Sequence, residues 1–298
     1  MDVLGAMRSF RRVVERGSFV KAAEELGLSS AGLSKQIRQL EERLGAVLIQ
    51  RTTRRMSLTD TGSAYYDECC RILDDLDELE RAVAADVNDV TGRLRVNAPL
   101  SFGLTVLSPL LPKFMAAYPD LKIDLTLSDY VLDVVAAGFD VSIRVRTELP
   151  DSTLIARRLG DVEQIICAAP SYLEARGTPK SVEDLHRHDC LTYTLADPPG
   201  GWRLLGPDGD TTIAVPARLA VNNSLMLRDM LVAGLGIGAL PSFVARPLLE
   251  QKALVPVLTG HVFPKRHVFA IHATSRHLQR KVRVFLDFLA EALGPRLG

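Results

Sequence analysis

The sequence predicts an α/β protein in three parts: a basic helical head, a long acidic helix, and a larger domain of alternating strands and helices. Three observations predict it. Apolar residues recur at helical spacing from Leu4 to Leu44. A Pro-free stretch after Gly62 carries apolar residues at heptad spacing. From Arg93 onward, short alternating runs are separated by helical patterns. The chain has 298 residues, 47% hydrophobic and 24% charged, which excludes a wholly disordered chain and is long enough for more than one core. There is no uncharged apolar run of the roughly 18 residues that a membrane-spanning helix needs. The opening MDVLGAMRSFRRVVERG interleaves charge with its apolar residues and has no signal-peptide core, so a cytoplasmic location is expected.

The formal charge is zero, 36 bases against 36 acids, but it is unevenly spread. Residues 1–60 carry eleven bases and seven acids, residues 61–92 two bases and nine acids, and the remainder 23 bases and 20 acids. The head is therefore the natural polyanion partner, and the middle segment is not. Cys69, Cys70, Cys167 and Cys190 have no CxxC spacing and form no metal pattern with the six histidines, so neither a disulfide scaffold nor a metal site is expected.

In the head, Leu4, Met7, Phe10 and Val14 mark a first helix over 3–15, ended by Gly17. Ser18 caps a second helix with Phe19, Ala22, Ala23 and Leu26 on its apolar face. Gly27 breaks it, and Leu28 is expected to pack in the turn. Ser29 caps a third helix whose buried face is Leu33, Ile37, Leu40 and Leu44, stopped by Gly45. Two helices joined by a short Gly-containing turn make a helix-turn-helix, whose second helix can enter a major groove. Its free side would present Ser29, Ser30, Ser34, Lys35 and Arg38 to phosphates or base edges. A small three-helix domain with a solvated polar face is the competing reading. Leu48 and Ile49 complete the core, and Arg51-Thr52-Thr53-Arg54-Arg55 reads as a wing, its Arg51, Arg54 and Arg55 placed for the DNA backbone or minor groove.

Paired Ala22-Ala23, Leu26-Gly27, Leu33-Ser34, Gln36-Ile37, Leu40-Glu41, Leu44-Gly45, the Arg-Thr wing and Thr59-x-x-Gly62 follow one another in an order that resembles the winged helix-turn-helix of LysR-type bacterial transcriptional regulators. The resemblance implies that the helix carrying Ser34, Lys35 and Arg38 reads operator DNA. The sequence departs from the family at Ser30, where Gln is usual, and at Ala31-Gly32, where Ser-Ala or Pro-Ala is usual. Gly32 within a helix costs up to about 1 kcal/mol relative to Ala.

From Ser63 to about Asp89, Tyr65, Cys69, Ile72, Leu76, Leu79 and Val83 form the heptad seam, with Cys69 on it and Cys70 facing elsewhere. The pattern permits pairing with another helix or packing on its own chain. By the resemblance it is the linker helix that pairs two subunits, and a two-fold dimer suits a palindromic operator.

In the large domain, 93–99 reads as a strand, 102–118 as a helix with Leu104, Leu107, Leu111, Phe114 and Met115, and 121–127 as a strand. Val131–Ala137 reads as a helix and Asp140–Ile143 as a strand. Gln164–Ala168, Thr211–Val215 and His267–Ile271 read as further strands, and Lys281–Leu293 as the closing helix. This alternation predicts a largely parallel sheet, interrupted by a loop at 198–201 and Trp202. Arg93-Leu94-Arg95-Val96, Phe114 through Pro119, Gly138 through Arg144, Cys167 through Leu173 and Gly234 through Pro241 resemble the LysR-type effector domain. That resemblance implies the two-lobed fold of periplasmic solute-binding proteins. The expected organisation is a winged helix-turn-helix DNA-binding domain over 1–62, a linker helix over 63–90, and an effector-binding domain over 91–298. Its lobe one would be 93–162 and 266–298, and its lobe two 163–265.

Ligands of open α/β folds sit beyond the strand C-termini, which points to Ser101 and Phe102 after the first strand. The resemblance adds Ser128, Asp129, Asn222 and Asn223, with Ser101 and Asn223 foremost. Arg144 is open between structural pairing and ligand contact, and Arg146 suits a carboxylate, which favours an organic anion. Gly234-Leu235-Gly236-Ile237-Gly238 looks like a dinucleotide fingerprint but lies late in the chain, without the preceding βαβ context. Ser63 and Ser101 have no assignable His/Asp partners. The expectation is a non-enzymatic regulator without cofactor. Its expected partners are double-stranded operator DNA, a small-molecule effector, itself as dimer or tetramer, and RNA polymerase if it activates, with no membrane. A ligand-independent transcription factor whose C-terminal domain only oligomerises, and a solute-binding module, are the alternatives.

Overall fold

The computed structural model describes all residues except 1, 52–55, 85–89, 131–137, 150–153, 196–200, 208, 216, 274–277 and 298; for 51, 78–79, 81–84 and 295–297 it describes the backbone alone. The wing residues Thr52–Arg55, the predicted helix Val131–Ala137 and the Pro-rich start of the 198–201 loop therefore lie outside the described residues. The chain divides into two compact units, Met1–Gly92 and Arg93–Gly298.

The first unit is a three-helix head with a small hairpin and a long helix. Helix α1 (Val3–Arg16) is capped by the Asp2 carboxylate on Gly5 N, α2 (Phe19–Leu26) by Ser18 on Lys21 N, and α3 (Ser30–Leu44) by Ser29 on Gly32 N. Each ends on a glycine in the left-handed region: Gly17, Gly27 and Gly45. Phe10, Val13, Ala22, Leu33, Ile37, Leu40 and Leu48 are fully buried together. The two small alanines let α2 approach α1 and α3 closely. The buried stripe of α1 is Ala6, Met7, Phe10 and Val13, one residue around from the predicted one, and Leu4 is exposed. Leu28 and Leu44 also lie exposed at helix ends rather than in the core. At these ends the chain has already turned away from the shared interior.

Strands β1 (Ile49–Arg51) and β2 (Met56–Leu58) pair antiparallel, Ile49 opposite Leu58. Two motif residues explain how the hairpin is attached. The Glu41 carboxylate accepts from both Leu48 N (2.8 Å) and Ile49 N (3.1 Å), ending α3 and starting β1 on one side chain. Thr59 Oγ1 donates to Val47 O (2.7 Å) and accepts from Gly62 N (2.8 Å). A Cβ on Gly62 would sit 2.0 Å from Leu48 O, so only glycine fits there.

Helix α4 (Asp60–Ala84) follows. Its first half packs on the head through Tyr65, Tyr66, Cys69 and Leu73. Cys70, expected to face elsewhere, is buried as well, 6% exposed. Ile72 from the predicted seam is 44% exposed, and Leu76 is half-buried. The helix thus has two apolar faces. One belongs to its own chain, and the other, carrying Ile72, is left open. The side chains of Leu79 and Val83 lie outside the described residues.

The second unit contains two five-stranded sheets. The first has the order β4-β3-β5-β14-β6, with β3 (Gly92–Ala98), β4 (Leu121–Leu127), β5 (Val141–Arg146), β6 (Ile155–Val162) and β14 (Arg266–His272). The second has the order β11-β8-β12-β7-β13, with β7 (Gln164–Ala168), β8 (Cys190–Tyr193), β11 (Ala217–Val221), β12 (Ile237–Pro241) and β13 (Val255–Pro256). A hairpin of β9 (Gly201–Gly206) and β10 (Gly209–Ala214) adds to the second lobe. The helices are α5 (Leu100–Phe102), α6 (Leu111–Ala117), α7 (Pro170–Arg176), α8 (Ser224–Val232), α9 (Ser242–Glu250) and α10 (Arg280–Leu297).

The sheets are mixed, not largely parallel. β3 runs parallel to β5 and β8 to both β11 and β12, whereas β14 is antiparallel to β5 and β6, and β7 to β12 and β13. The antiparallel strands are those where the chain crosses between lobes, at β6–β7 and β14. The predicted 102–118 helix is broken: α5 runs into a π-helical stretch, Gly103–Leu107, and α6 restarts at Leu111. Leu104 and Met115 point outward. Trp202, expected in a loop, lies in β9 and is buried against Phe263. In the Gly-Leu-Gly-Ile-Gly run, Gly234 turns left-handed (φ 74°), and a Cβ on Gly236 would meet Asp189 O at 2.2 Å. The glycines serve a tight turn into β12, not a phosphate cradle.

Candidate functional site

Two surfaces carry the chemistry. In the head, most bases of α1 are engaged within the unit. Arg8 pairs with Asp77 (3.1 Å), Arg11 with Asp74 (2.7 Å) and Glu15 (3.0 Å), Arg12 with Glu15 and Glu25, and Arg16 with Glu25 (2.5 Å). The acidic α4 therefore cancels charge on α1 while clamping it. Lys21, Lys35, Arg38 and Arg43 have no ion pair among the described residues, and Lys35 and Arg38 stand exposed on α3. Ser29 and Ser30 are exposed at the start of α3, and Ser34 is half-buried on the same helix. Ser29 Oγ is occupied as the cap of α3, and Gln36 is tied to buried Ser9 at 2.8 Å, which fixes α3 on α1. Among the described residues, three of these four cations without an ion pair, Lys35, Arg38 and Arg43, belong to α3. Arg51 closes β1, with its side chain outside the described residues, as are Arg54 and Arg55.

In the second unit a cavity of about 100 Å³ is lined from both lobes. Ser101, Phe102, Ser128, Asp129 and Arg146 of the predicted set line it. Asn222, which is exposed, and Asn223 are not among its lining residues; Asn223 Nδ2 donates to Asp129 Oδ2 (3.3 Å) while its Oδ1 caps α8 on Leu225 N and Met226 N. This bond joins residues from the two lobes. Leu100 N donates to Asp129 Oδ1 (3.3 Å), so the chain fills the start of α5 with its own carboxylate. Burial pushes the Asp129 carboxyl up from the ordinary range, against these two donors.

Arg144 also lines the cavity and is only 7% exposed. Its Nη1 donates to Asn97 Oδ1 (2.6 Å) and Ile143 O (2.8 Å), and its Nη2 is buried without a hydrogen-bond partner. Burial and neighbouring Arg146 both push its pKa down. Arg266 is the third arginine of the lining, against the single carboxylate of Asp129 among the described residues. Sequence reasoning missed Gln164, Tyr193, Trp202, Phe243, Phe263 and Arg266. They come from six separate elements or connections, and no local pattern marks them. Phe102 meets Phe243 across the cleft edge-to-face at 5.6 Å, and Trp202 meets Phe263 at 5.7 Å.

Residues 4–63 match the bacterial regulatory helix-turn-helix proteins of the lysR family, and residues 88–294 the LysR substrate binding domain. The chain belongs to the LysR family of bacterial transcriptional regulators. Similarity to known members of this LysR family runs end to end. The regulator CrgA of Neisseria meningitidis serogroup C is 35% identical over 97% of this chain and 96% of its own length. The transcriptional activator AaeR of Escherichia coli K12 is 33% identical over 98% and 94%. Among solved structures, CrgA from Neisseria meningitidis aligns with a TM-score of 0.64 at 32% identity, covering 97% of this chain and 98% of that one. Full-length AphB, the Vibrio cholerae virulence activator, aligns at 0.63 and 30%, with the same coverage.

This LysR-type regulator is thus a DNA-binding protein with a C-terminal effector-binding domain, and its family is not catalytic. All four thiols are buried. Burial alone pushes Cys167 up to about 12, and Cys190 reaches about 12 with added repulsion from Asp189. Neither has the thiolate character that a reactive cysteine needs at neutral pH. No single helix among the described residues is long and apolar enough to cross a membrane.

Proposed function

We propose that this LysR-type regulator binds operator DNA through α3, with Lys35 and Arg38 on phosphate or guanine, and that a small organic anion in the cleft sets its activity. The single observation that supports the second half is the lining itself: three arginines face one carboxylate that is already held by Leu100 and Asn223. An anion there completes the unmet bond of Arg144. Ser101, Phe102, Ser128 and Arg146 contact it, and Asn223 acts by holding Asp129. Arg51, Arg54 and Arg55 of the wing reinforce the grip on DNA.

The protein works in the cytoplasm as a dimer or tetramer joined through the open face of α4, and it engages RNA polymerase when it activates. The anion shifts the two-lobed domain only if it binds one conformation better than the other. A reporter fused to the DNA flanking its gene tests this reading. Organic acids are expected to change reporter output, and neutral amides or sugars of the same size are not. Arg38→Ala is expected to remove the response. A reporter indifferent to every acid would favour a ligand-independent factor whose second unit serves only self-association.

A further inference from the structure

We propose that the hydrogen bond from Ser9 on α1 to Gln36 on α3 sets the pose in which α3 meets the operator, so that Ser9 and Gln36 are positioning residues for sequence discrimination. The inference rests on the reading of α3 as the helix that reads DNA, and it adds what holds that helix in register. Its first support is chemical contrast. Among the described residues of the first unit, Ser9, at 4% exposed, is the one buried side chain that carries a hydroxyl, amide or charge. Its Oγ donates to Gln36 Oε1 at 2.8 Å. Phe10, Val13, Leu33, Ile37 and Leu40 fill the same interior. Apolar contact is non-directional, so by itself it tolerates neighbouring registers of one helix on another. A buried hydroxyl does not: sliding α3 by one residue, about 1.5 Å, leaves it without its partner. Single polar groups in apolar helix interfaces fix register in this way.

The second support is where the bond falls. Gln36 is half-buried and lies between exposed Lys35 and Arg38 along α3. The ties at the two ends of α3 do not reach α1: Ser29 Oγ accepts from Gly32 N, and the Glu41 carboxylate accepts from Leu48 N and Ile49 N. The third is α1 itself. Arg8 and Arg11 tie it to Asp77 and Asp74 of α4, and Arg16 ties it to Glu25 of α2. A shift of α3 on α1 therefore moves Lys35 and Arg38 relative to the whole unit and keeps their charges. Charge attracts any duplex, whereas base edges are read from one pose. Loss of the bond is expected to cost discrimination and not general affinity.

Full-length Ser9→Ala, the double variant Ser9→Ala with Gln36→Leu, and Arg38→Ala are compared with wild type by fluorescence anisotropy at physiological salt. Two labelled duplexes are used: the flanking DNA that wild type protects in a footprint, and a scrambled duplex of the same length. Ser9→Ala is expected to bind the protected duplex about tenfold more weakly, the scale of one mismatched base pair, and the scrambled duplex within about twofold of wild type. The double variant leaves neither polar partner in place. By circular dichroism it is expected to melt no lower than Ser9→Ala, and it is expected to discriminate no better.

Operator binding by Ser9→Ala equal to wild type, equal weakening on both duplexes by both Ser9 variants, or discrimination that returns with the melting temperature in the double variant would overturn the proposal. If Arg38→Ala loses the protected duplex while Ser9→Ala keeps it, this inference fails and the reading of α3 stands. If Arg38→Ala binds the protected duplex as wild type does, that reading fails too.

Discussion

Gly62→Ala is expected to destabilise the DNA-binding head by about 3 kcal/mol and to leave the second unit unaffected, because the new methyl meets backbone rather than a yielding side chain. The Cβ would lie 2.0 Å from Leu48 O and 2.8 Å from Leu48 C. Relief requires α4 or β1 to move. Either shift breaks the Thr59 bonds to Val47 and Gly62 and disturbs the Glu41 anchor on Leu48 and Ile49. Urea unfolding followed by two signals checks it. Far-ultraviolet circular dichroism, which sees both units, should show an early transition. Trp202 fluorescence, which sees only the second unit, should keep its wild-type midpoint. A dichroism profile identical to wild type would contradict the assigned role of Gly62.

Asn97→Leu is expected to do the reverse. Asn97 is fully buried and connects three strands: its Nδ2 donates to Thr126 O on β4, and its Oδ1 accepts from Ser142 and Arg144 on β5. Removing it leaves Arg144 charged and buried with, among the described residues, one backbone carbonyl as its hydrogen-bond partner. Stranding a buried charge in this way costs about 3–5 kcal/mol. The tryptophan midpoint should fall in proportion, and the head transition should not. A shift of less than 1 kcal/mol, on the scale of an ordinary surface substitution, would show that the bond to Asn97 does not hold Arg144 in place.

What the sequence made legible, and what it hid, follows from the range of the interactions. Ser18, Ser29, Gly17, Gly27 and Gly45 bound the head helices through bonds to residues at most five positions away, so spacing alone places them. The stripe of α1 moved by one residue because Ala6, Met7, Val13 and Val14 are all apolar and periodicity cannot choose between neighbours. In α4 the heptad seam is genuine as a pattern. Yet Leu73, one step off it, is buried on the head together with the seam's Cys69, while the seam's Ile72 is exposed, because a 25-residue helix with two apolar faces serves two partners. Ser101 and Phe102 reach the cavity as expected from a strand end, Ser128 and Asp129 as the family resemblance implies, and Arg146 lines it too. Phe243, Phe263 and Arg266 do not announce themselves, since they meet Ser101, Phe102, Ser128 and Asp129, more than 100 residues earlier, only in the folded domain. The same holds for Arg144: its environment is set by Asn97, 47 residues earlier.

The claim that the free cations of α3 grip specific DNA is tested most directly by nuclease footprinting of the full-length protein on the DNA flanking its gene. Wild type and Arg203→Ala, a control in the second unit where Arg203 pairs with exposed Asp210, should both protect the same two half-sites, spaced by whole helical turns. Arg38→Ala should lose that protection at physiological salt. Protection by Arg38→Ala equal to wild type, or no protected site at all with wild-type protein, would contradict it.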